Sequence, residues 1–290
     1  MSTADTSAGP RTYLERHESE AGRWELATRA PRPELGRYLL GYVGIDCRMD
    51  LPRERHLPSG EVELLVNFGA PYRVINADDP ARSSTHQGAT VVGVHDRYVV
   101  TEETGAQHVL VVRLRPTGAH LLFDLPMHEI ANRLVALDDL SGALARRLGE
   151  RLYEARTWER RFALMDALLA EQAAGRRALR AGVAWAWQQL RDTGGCLNLG
   201  ALAGELGCSR KHLIAQCRQT VGLPPKTVAR VLRFNRVLQM VERASRIDWA
   251  AIAQECGYFD QAHLIRDFRA FAGSTPTELM RRRAGGLFRD

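Results

Sequence analysis

The chain has 290 residues, 45% of them hydrophobic, and a formal net charge of +6. That length suggests about two domains, and that composition supports packed cores. No stretch approaches the ~18 consecutive apolar residues of a membrane span. The polar, mixed-charge run from Met1 to Trp24 lacks the basic start and apolar stretch of a secretory signal, so the expected location is the cytoplasm and no membrane contact is expected.

In chain order, residues 1–29 read as a loosely docked leader. The string Arg29-Ala30-Pro31-Arg32-Pro33 cannot continue a helix, because each proline restricts the residue before it. Short strand-like segments follow: Glu61 to Phe68, Thr90 to Val94, Tyr98 to Val100 and His108 to Leu114. Turn formers such as Ala77-Asp78-Asp79-Pro80 and Thr104-Gly105 separate them. This spacing predicts a β-sandwich or barrel over residues 30–140.

Helical spacing takes over after Pro116. Ser141 suits the cap of a helix carrying Leu144, Leu148 and Leu152, and Thr157 the cap of another carrying Phe162, Met165, Leu168 and Leu169. Residues 141–175 are thus a helical linker packed on the β domain or a dimerisation segment of a homodimer, and the pattern leaves both open. Gln172-Ala173-Ala174-Gly175 marks a boundary before a domain at 176–284 and a tail at 285–290. Beyond it, Trp185 and Trp187 share a predicted helix with Val183 and Leu190, and both read as core. The five cysteines, Cys47, Cys196, Cys208, Cys217 and Cys256, form no CxxC pair and read as free thiols. Cys208, Cys217 and Cys256 fall in apolar helix patterns, where a small core residue is expected rather than a redox sensor.

Charge is divided unevenly. Residues 1–172 hold 21 basic and 25 acidic residues, whereas 173–290 hold 19 basic and 9 acidic ones. A C-terminal part at +10 behind a remainder at −4 suggests a polyanion-binding module attached to a non-binding one.

An internal repeat in that basic part carries the strongest signal. Leu202-Ala203-Gly204-Glu205-Leu206-Gly207 aligns with Ile252-Ala253-Gln254-Glu255-Cys256-Gly257 at an offset of 50. His212-Leu213, Arg218, Gly222 and Pro225 align with His263-Leu264, Arg269, Gly273 and Pro276 at an offset of 51, so one residue is inserted in the turn after Gly257. Each copy predicts a short helix, a turn opening on glycine, and a second helix capped by Ser209 or Asp260. A helix–turn–helix of this kind places its second helix in the major groove of DNA.

At 100° per residue, the first such helix turns Leu213 and Cys217 inward and Lys211, Ile214, Ala215 and Arg218 outward, with Arg210 at its start. The second turns Leu264, Phe268 and Phe271 inward and Ala262, Ile265, Arg266 and Arg269 outward, with Gln261 at its start. Lys and Arg reach guanine edges or phosphates, and Ile and Ala touch thymine methyls. The same isoleucines suit partial burial against a neighbouring helix, and Arg218 and Arg269 suit phosphate contact. Pro225 to about Ala244 reads as one helix with Val228, Val231, Leu232 and Leu238 as its apolar positions. Some 20 residues at ~1.5 Å span roughly 30 Å, close to the ~34 Å between successive major grooves.

Residues ~180–284 resemble the DNA-binding domain of the AraC/XylS family of bacterial regulators. Leu202-Ala203 through Gly222-Leu223-Pro224-Pro225 resembles its first motif, and Ile252-Ala253 through Gly273-Ser274-Thr275-Pro276-Thr277-Glu278 its second. Residues ~30–140 resemble a cupin-like sensor, on Leu57-Pro58-Ser59-Gly60, Val111 to Gly118 and Leu134 to Leu140. The resemblance implies an α+β chain: a β-rich cupin-like domain, then an all-α domain of two helix-turn-helix subdomains joined by a long helix. It further implies an activator that answers a small-molecule or protein effector on promoter DNA, with RNA polymerase as a further partner. It places a base-reading residue at Arg266. Three positions depart from the family pattern: Cys217 replaces a usual Phe, and Ile214 and Ala215 replace polar readers.

No catalytic residue, cofactor or metal is expected. His56, His86, His95, His108, His120 and His128 are scattered, and no HExxH, CxxC, GxSxG or phosphate-binding glycine loop occurs. Two other classes remain open: a cupin-type metalloenzyme with a localising basic tail, and a sequence-blind DNA-binding protein.

Overall fold

A computed structural model describes residues 9–19, 22–49, 53–76, 83–176, 178–179, 181–244 and 246–284. Among the described residues the N-terminal part is one antiparallel sheet of nine strands: β1 (Thr12–Ser19), β2 (Gly22–Arg29), β3 (Leu39–Met49), β4 (Glu54–His56), β5 (Val62–Ile75), β6 (Ser84–Val92), β7 (Val99–Glu103), β8 (Gln107–Leu114) and β9 (Leu134–Ala136). Its order is β1-β2-β3-β8-β5-β6-β9, with β7 paired to both β5 and β4.

The long β5 shapes this sheet. Residues 62–67 pair with β8 and 72–75 with β7, and the register to β6 shifts between Asn67 and Tyr72. One strand therefore serves two parts of a curled sheet, as irregularities in a ladder bend and twist a strand. The expected strand from Glu61 to Phe68 is this element, extended by seven residues at its far end to Ile75. The expected turn at 77–80 lies outside the described residues.

Side-chain alternation gives the sheet two faces. Val62, Leu64, Val66, Leu110, Val112 and Leu114, all at most 2% exposed, belong to one apolar cluster with residues of α1 (Pro116–Phe123), α2 (Leu137–Leu152) and α3 (Trp158–Ala173). Leu144, Leu148, Leu152, Phe162, Met165, Leu168 and Leu169 are the helical half of that core. Residues 141–175 thus use their apolar faces on the chain's own sheet. A buried polar cluster adds to the join: Arg29 of β2 pairs with Asp166 of α3, and the Tyr42 hydroxyl donates to Asp166 Oδ1 at 2.7 Å. Thr157 caps α3 as expected, its Oγ1 accepting from Arg160 N at 3.3 Å. Ser141 lies at a kink within α2, with φ −159° and ψ 82°, where the helix restarts.

The leader expected over 1–29 is corrected for its described part. Thr12–Ser19 and Gly22–Arg29 are paired strands, and β2 pairs with β3 along its whole length. Tyr13 and Leu14 are 69% and 44% exposed. Only Ala27 and Arg29 at the end of β2 are buried among the described residues of this hairpin, so backbone pairing holds most of it and little burial pattern marks it in the sequence.

The C-terminal part is helical: α4 (Ala181–Asp192), α5 (Leu199–Glu205), α6 (Arg210–Val221), α7 (Pro225–Arg243), α8 (Trp249–Glu255), α9 (Gln261–Ala272) and α10 (Pro276–Ala284). Trp187 is buried in α4, but Trp185 is 37% exposed and is not the core residue expected. Cys217, Val221, Leu223, Val228 and Ala229 join the cluster that lines the sheet, so the first helix-turn-helix is packed into the N-terminal core. The second has a core of its own around Phe234, Leu264, Phe268 and Phe271. No helix among the described residues is long and apolar enough to cross a membrane.

Candidate nucleic-acid interface

The repeat seen in the sequence is a repeat of hydrogen bonds. α5 and α8 begin on Asn198 and Asp248, whose Oδ1 atoms each accept from two backbone amides, at 2.7 and 3.2 Å and at 3.0 and 3.1 Å. These two caps went unnoticed in the sequence, although they sit at the same offset of 50 as the flanking motif. The turns pass through Gly207 and Gly257 at φ +60° and +73°, left-handed geometry that a side chain would oppose. Ser209 Oγ then accepts from His212 N at 3.2 Å, and Asp260 Oδ1 from His263 N at 2.7 Å, starting α6 and α9. α7 and α10 each open on the repeated proline, Pro225 or Pro276, where a missing N–H costs nothing.

The inward faces match the expected ones. Leu264, Phe268 and Phe271 are at most 1% exposed, and Phe234 of α7 packs on Phe268 and Phe271 at ring separations of 4.8 and 5.4 Å. Beside them the buried Asp267 accepts from Arg230 of α7 at 2.7 and 3.0 Å, which locks α9 onto the long helix. The first unit is packed more lightly. Where the second has Phe268, the first has Cys217, and a mainly apolar cavity of about 230 Å³ opens between α4 and α6 beside Trp187, Leu190 and Leu213. Burial pushes the Cys217 thiol up to about 12, so it stays protonated and donates to Leu223 O at 3.2 Å.

The outward faces bring the expected residues together. Arg210, Lys211, Ile214, Ala215 and Arg218 are exposed along α6; Gln261, Ala262, Arg266 and Arg269 are exposed along α9, and Ile265 is half-buried. Arg210 leans back against Gly200 at the start of α5. Lys211, Arg218, Arg266 and Arg269 form no ion pair among the described residues. Phe259 was missed. It stands in the turn before α9 and is 94% exposed, and an aromatic within a turn of a basic repeat was the available signal.

A second site lies on the other face of the sheet. A cavity of about 480 Å³ is lined by β3, β4, β5, β7 and β8, and also by Asn235 and Leu238 of α7. Asn235 Nδ2 donates to Pro58 O at 2.9 Å, and Arg55 of β4 stacks on Tyr98 and donates to Ala272 O of α9. The cavity wall and the second helix-turn-helix unit are therefore in direct contact. Several of the scattered histidines make local hydrogen bonds, His56 with Thr101 Oγ1 at 2.9 Å and His95 with Gly93 O at 2.6 Å. No group of three residues suited to a metal ion occurs among the described residues.

Two capped helix-turn-helix units on a shared helix, behind a sheet-rich domain, define a DNA-binding protein of two domains. Residues 202–282 match a helix-turn-helix domain family, and residues 27–136 match a domain of unknown function, DUF6597. The C-terminal part is thus a helix-turn-helix domain, a module that binds DNA. Among solved structures it resembles ToxT from Vibrio cholerae at 10% identity, covering 93% of this chain and 97% of that one with a TM-score of 0.43. The AraC-like transcriptional activator CuxR matches at 17% identity over 78% and 86% of the two chains, with a TM-score of 0.31. The iron(II) form of HppE matches 38% of this chain and 62% of its own at 10% identity, with a TM-score of 0.28. No curated protein matches.

Proposed function

We propose that this chain is a transcription regulator of the AraC/XylS type that reads promoter DNA in two successive major grooves, through the outward faces of α6 and α9, under the control of a small molecule in the N-terminal cavity. One observation carries the first half. Two helices with equivalent caps and buried faces expose Lys211 and Arg218, and Arg266 and Arg269, from a shared helix of 19 residues. At ~1.5 Å per residue that helix spans roughly 28 Å, near the ~34 Å groove repeat. Arg266 is assigned to a base edge, and Arg218 and Arg269 to phosphates. Ile214, Ala215, Ala262 and Ile265 are assigned to thymine methyls, and Arg210, Lys211 and Gln261 to the backbone near each helix start.

The second half rests on the position of the cavity. Its wall includes Asn235 and Leu238 of the helix that joins the two reading units. A ligand that moves this wall changes the relative placement of those units. Binding-site coupling is typically 5–150-fold in affinity.

Selection of bound duplexes from random DNA tests the first half. The expected product is a motif of two half-sites about one helical turn apart. Recovery of unenriched sequence at equal affinity favours a sequence-blind DNA-binding protein instead.

A further inference from the structure

We infer that the ligand of the N-terminal cavity is an organic cation: a small molecule with an apolar body and one amine or amidine group. This rests on the proposal that the cavity is the effector site, and deepens it.

The cavity wall is apolar on one side, with Val43, Ile45, Leu65, Val109 and Val111 projecting from β3, β5 and β8. Opposite charges are not balanced on the rest. Glu54, Glu63 and Glu103 all line the space, and none forms an ion pair among the described residues. The three lining arginines are held by other partners, although Arg113 and His56 also attract Glu63. Arg113 holds Glu61 at 2.7 and 2.8 Å, Arg97 pairs with Asp96 at 3.5 Å, and Arg55 lies on Tyr98 and Ala272 O. A carboxylate without a counter-charge in a half-buried space is costly, and a cation restores the balance.

Tyr72 supplies an independent sign that something is bound. It is only 7% exposed and lines the cavity, and although its hydroxyl lies near Thr90 it completes no hydrogen bond of normal geometry. A buried hydroxyl without a partner is destabilising, and natural structures rarely leave one. Tyr72 is the direct cross-strand partner of Glu103, which places hydroxyl and carboxylate on one face with Cβ atoms about 5 Å apart. Glu54 pairs with Thr101, two residues along the same face of β7. The three groups thus converge from β4, β5 and β7. Burial, then the Glu54 charge, pushes the Glu103 carboxyl up to about 7 against a hydrogen bond from Gln107. Burial also raises Glu63.

The alternatives fit less well. A carboxylate ligand would face Glu54, Glu63 and Glu103 with no uncommitted guanidinium to answer it. A metal ion would need three clustered ligands, and no such group occurs among the described residues. The volume of about 480 Å³ lies within the usual range for small-molecule sites.

The test uses the full chain and matched probes: 2-phenylethylamine and benzamidine as cations, 3-phenylpropionate and benzoate as anions, and 2-phenylethanol as the neutral control. Thermal shift and calorimetry at concentrations up to about 10 mM, a limit set by weak affinity, should show the cations binding best. Glu63→Gln and Glu103→Gln should each weaken cation binding about tenfold. Each should also leave the unliganded protein as stable as before or more so, which distinguishes loss of a binding charge from loss of folding. Tyr72→Phe should weaken it less. Anions or the neutral control binding as well as the cations would overturn the cation assignment and leave the effector site standing. Failure of every probe to bind would overturn both.

Discussion

Replacing Arg266 by alanine tests how the second unit reads DNA. Arg266 is exposed on α9 and forms no ion pair among the described residues, while its neighbours Leu264, Asp267 and Phe268 are at most 1% exposed and hold the helix in place. A surface substitution of this kind costs about 0.5 kcal/mol of folding or less. Leu264→Gln, by contrast, inverts a fully buried position and should cost several kcal/mol. On DNA the expected loss for Arg266→Ala is about 1–3 kcal/mol, roughly 5- to 150-fold in affinity, confined to one base pair, a guanine. Salt supplies the second readout. Arg210, Lys211, Arg218, Arg266 and Arg269 are five exposed cations on the two reading helices, worth a slope of log K on log salt of about −4.5 if all met phosphate. Lys226, Arg243 and Arg281, all exposed, add to this, giving an expected total of about −5 to −9. If Arg266 reads a base, the variant keeps almost the whole slope and loses preference at a single position. If it meets phosphate, the slope falls by about one unit and all sequences weaken alike. Fluorescence anisotropy on a set of single-base variants at several salt concentrations separates these outcomes. An unchanged preference profile refutes the assignment of Arg266 as a reader.

Three further outcomes are expected. Cys217→Phe should fill part of the cavity of about 230 Å³ under α6 and raise stability by about 0.5–2 kcal/mol, measured by urea unfolding; a destabilised variant would mean that the cavity cannot admit a ring. Glu103 has a carboxyl raised to about 7, by burial and by Glu54, so the folded chain holds a proton that the unfolded chain has released. Stability should therefore fall as pH rises from about 4.5 through 7, and Glu103→Gln should flatten that fall in thermal scans; parallel curves for variant and parent would contradict it. A fragment of residues 172–290 should keep the parent's site preference but melt at lower temperature, because Cys217, Val221, Leu223 and Val228 lose the N-terminal core they pack into. An equal melting point would show that this contact contributes nothing.

The helix-turn-helix repeat was legible because its determinants are local. Ser209 and Asp260 bond to amides three residues away, Gly207 and Gly257 adopt left-handed turns, and Leu213 and Leu264 fall inward by helical period alone. None of these needs a distant partner, so residue type and spacing suffice. For the same reason Cys217, set where a larger side chain was expected, announced a light core. Composition likewise placed the basic charge in the C-terminal part.

Tertiary structure alone decided the rest. The strand β2 exists through pairing with β3 and buries only Ala27 and Arg29, and Tyr13 and Leu14 of β1 are exposed, so little burial pattern marked the hairpin. The amphipathic stripes of α2 and α3 specified that a partner was needed but not which one; the sheet supplied it. The cavity draws Glu54, Glu63, Tyr72 and Glu103 from three strands spread over 50 residues, and Asn235 from a helix far beyond them. Alternation in a strand separates two faces but does not say which one meets the core. Only the curl of the sheet, with helices on one side and α7 at the mouth of the other, turned those carboxylates toward a common space.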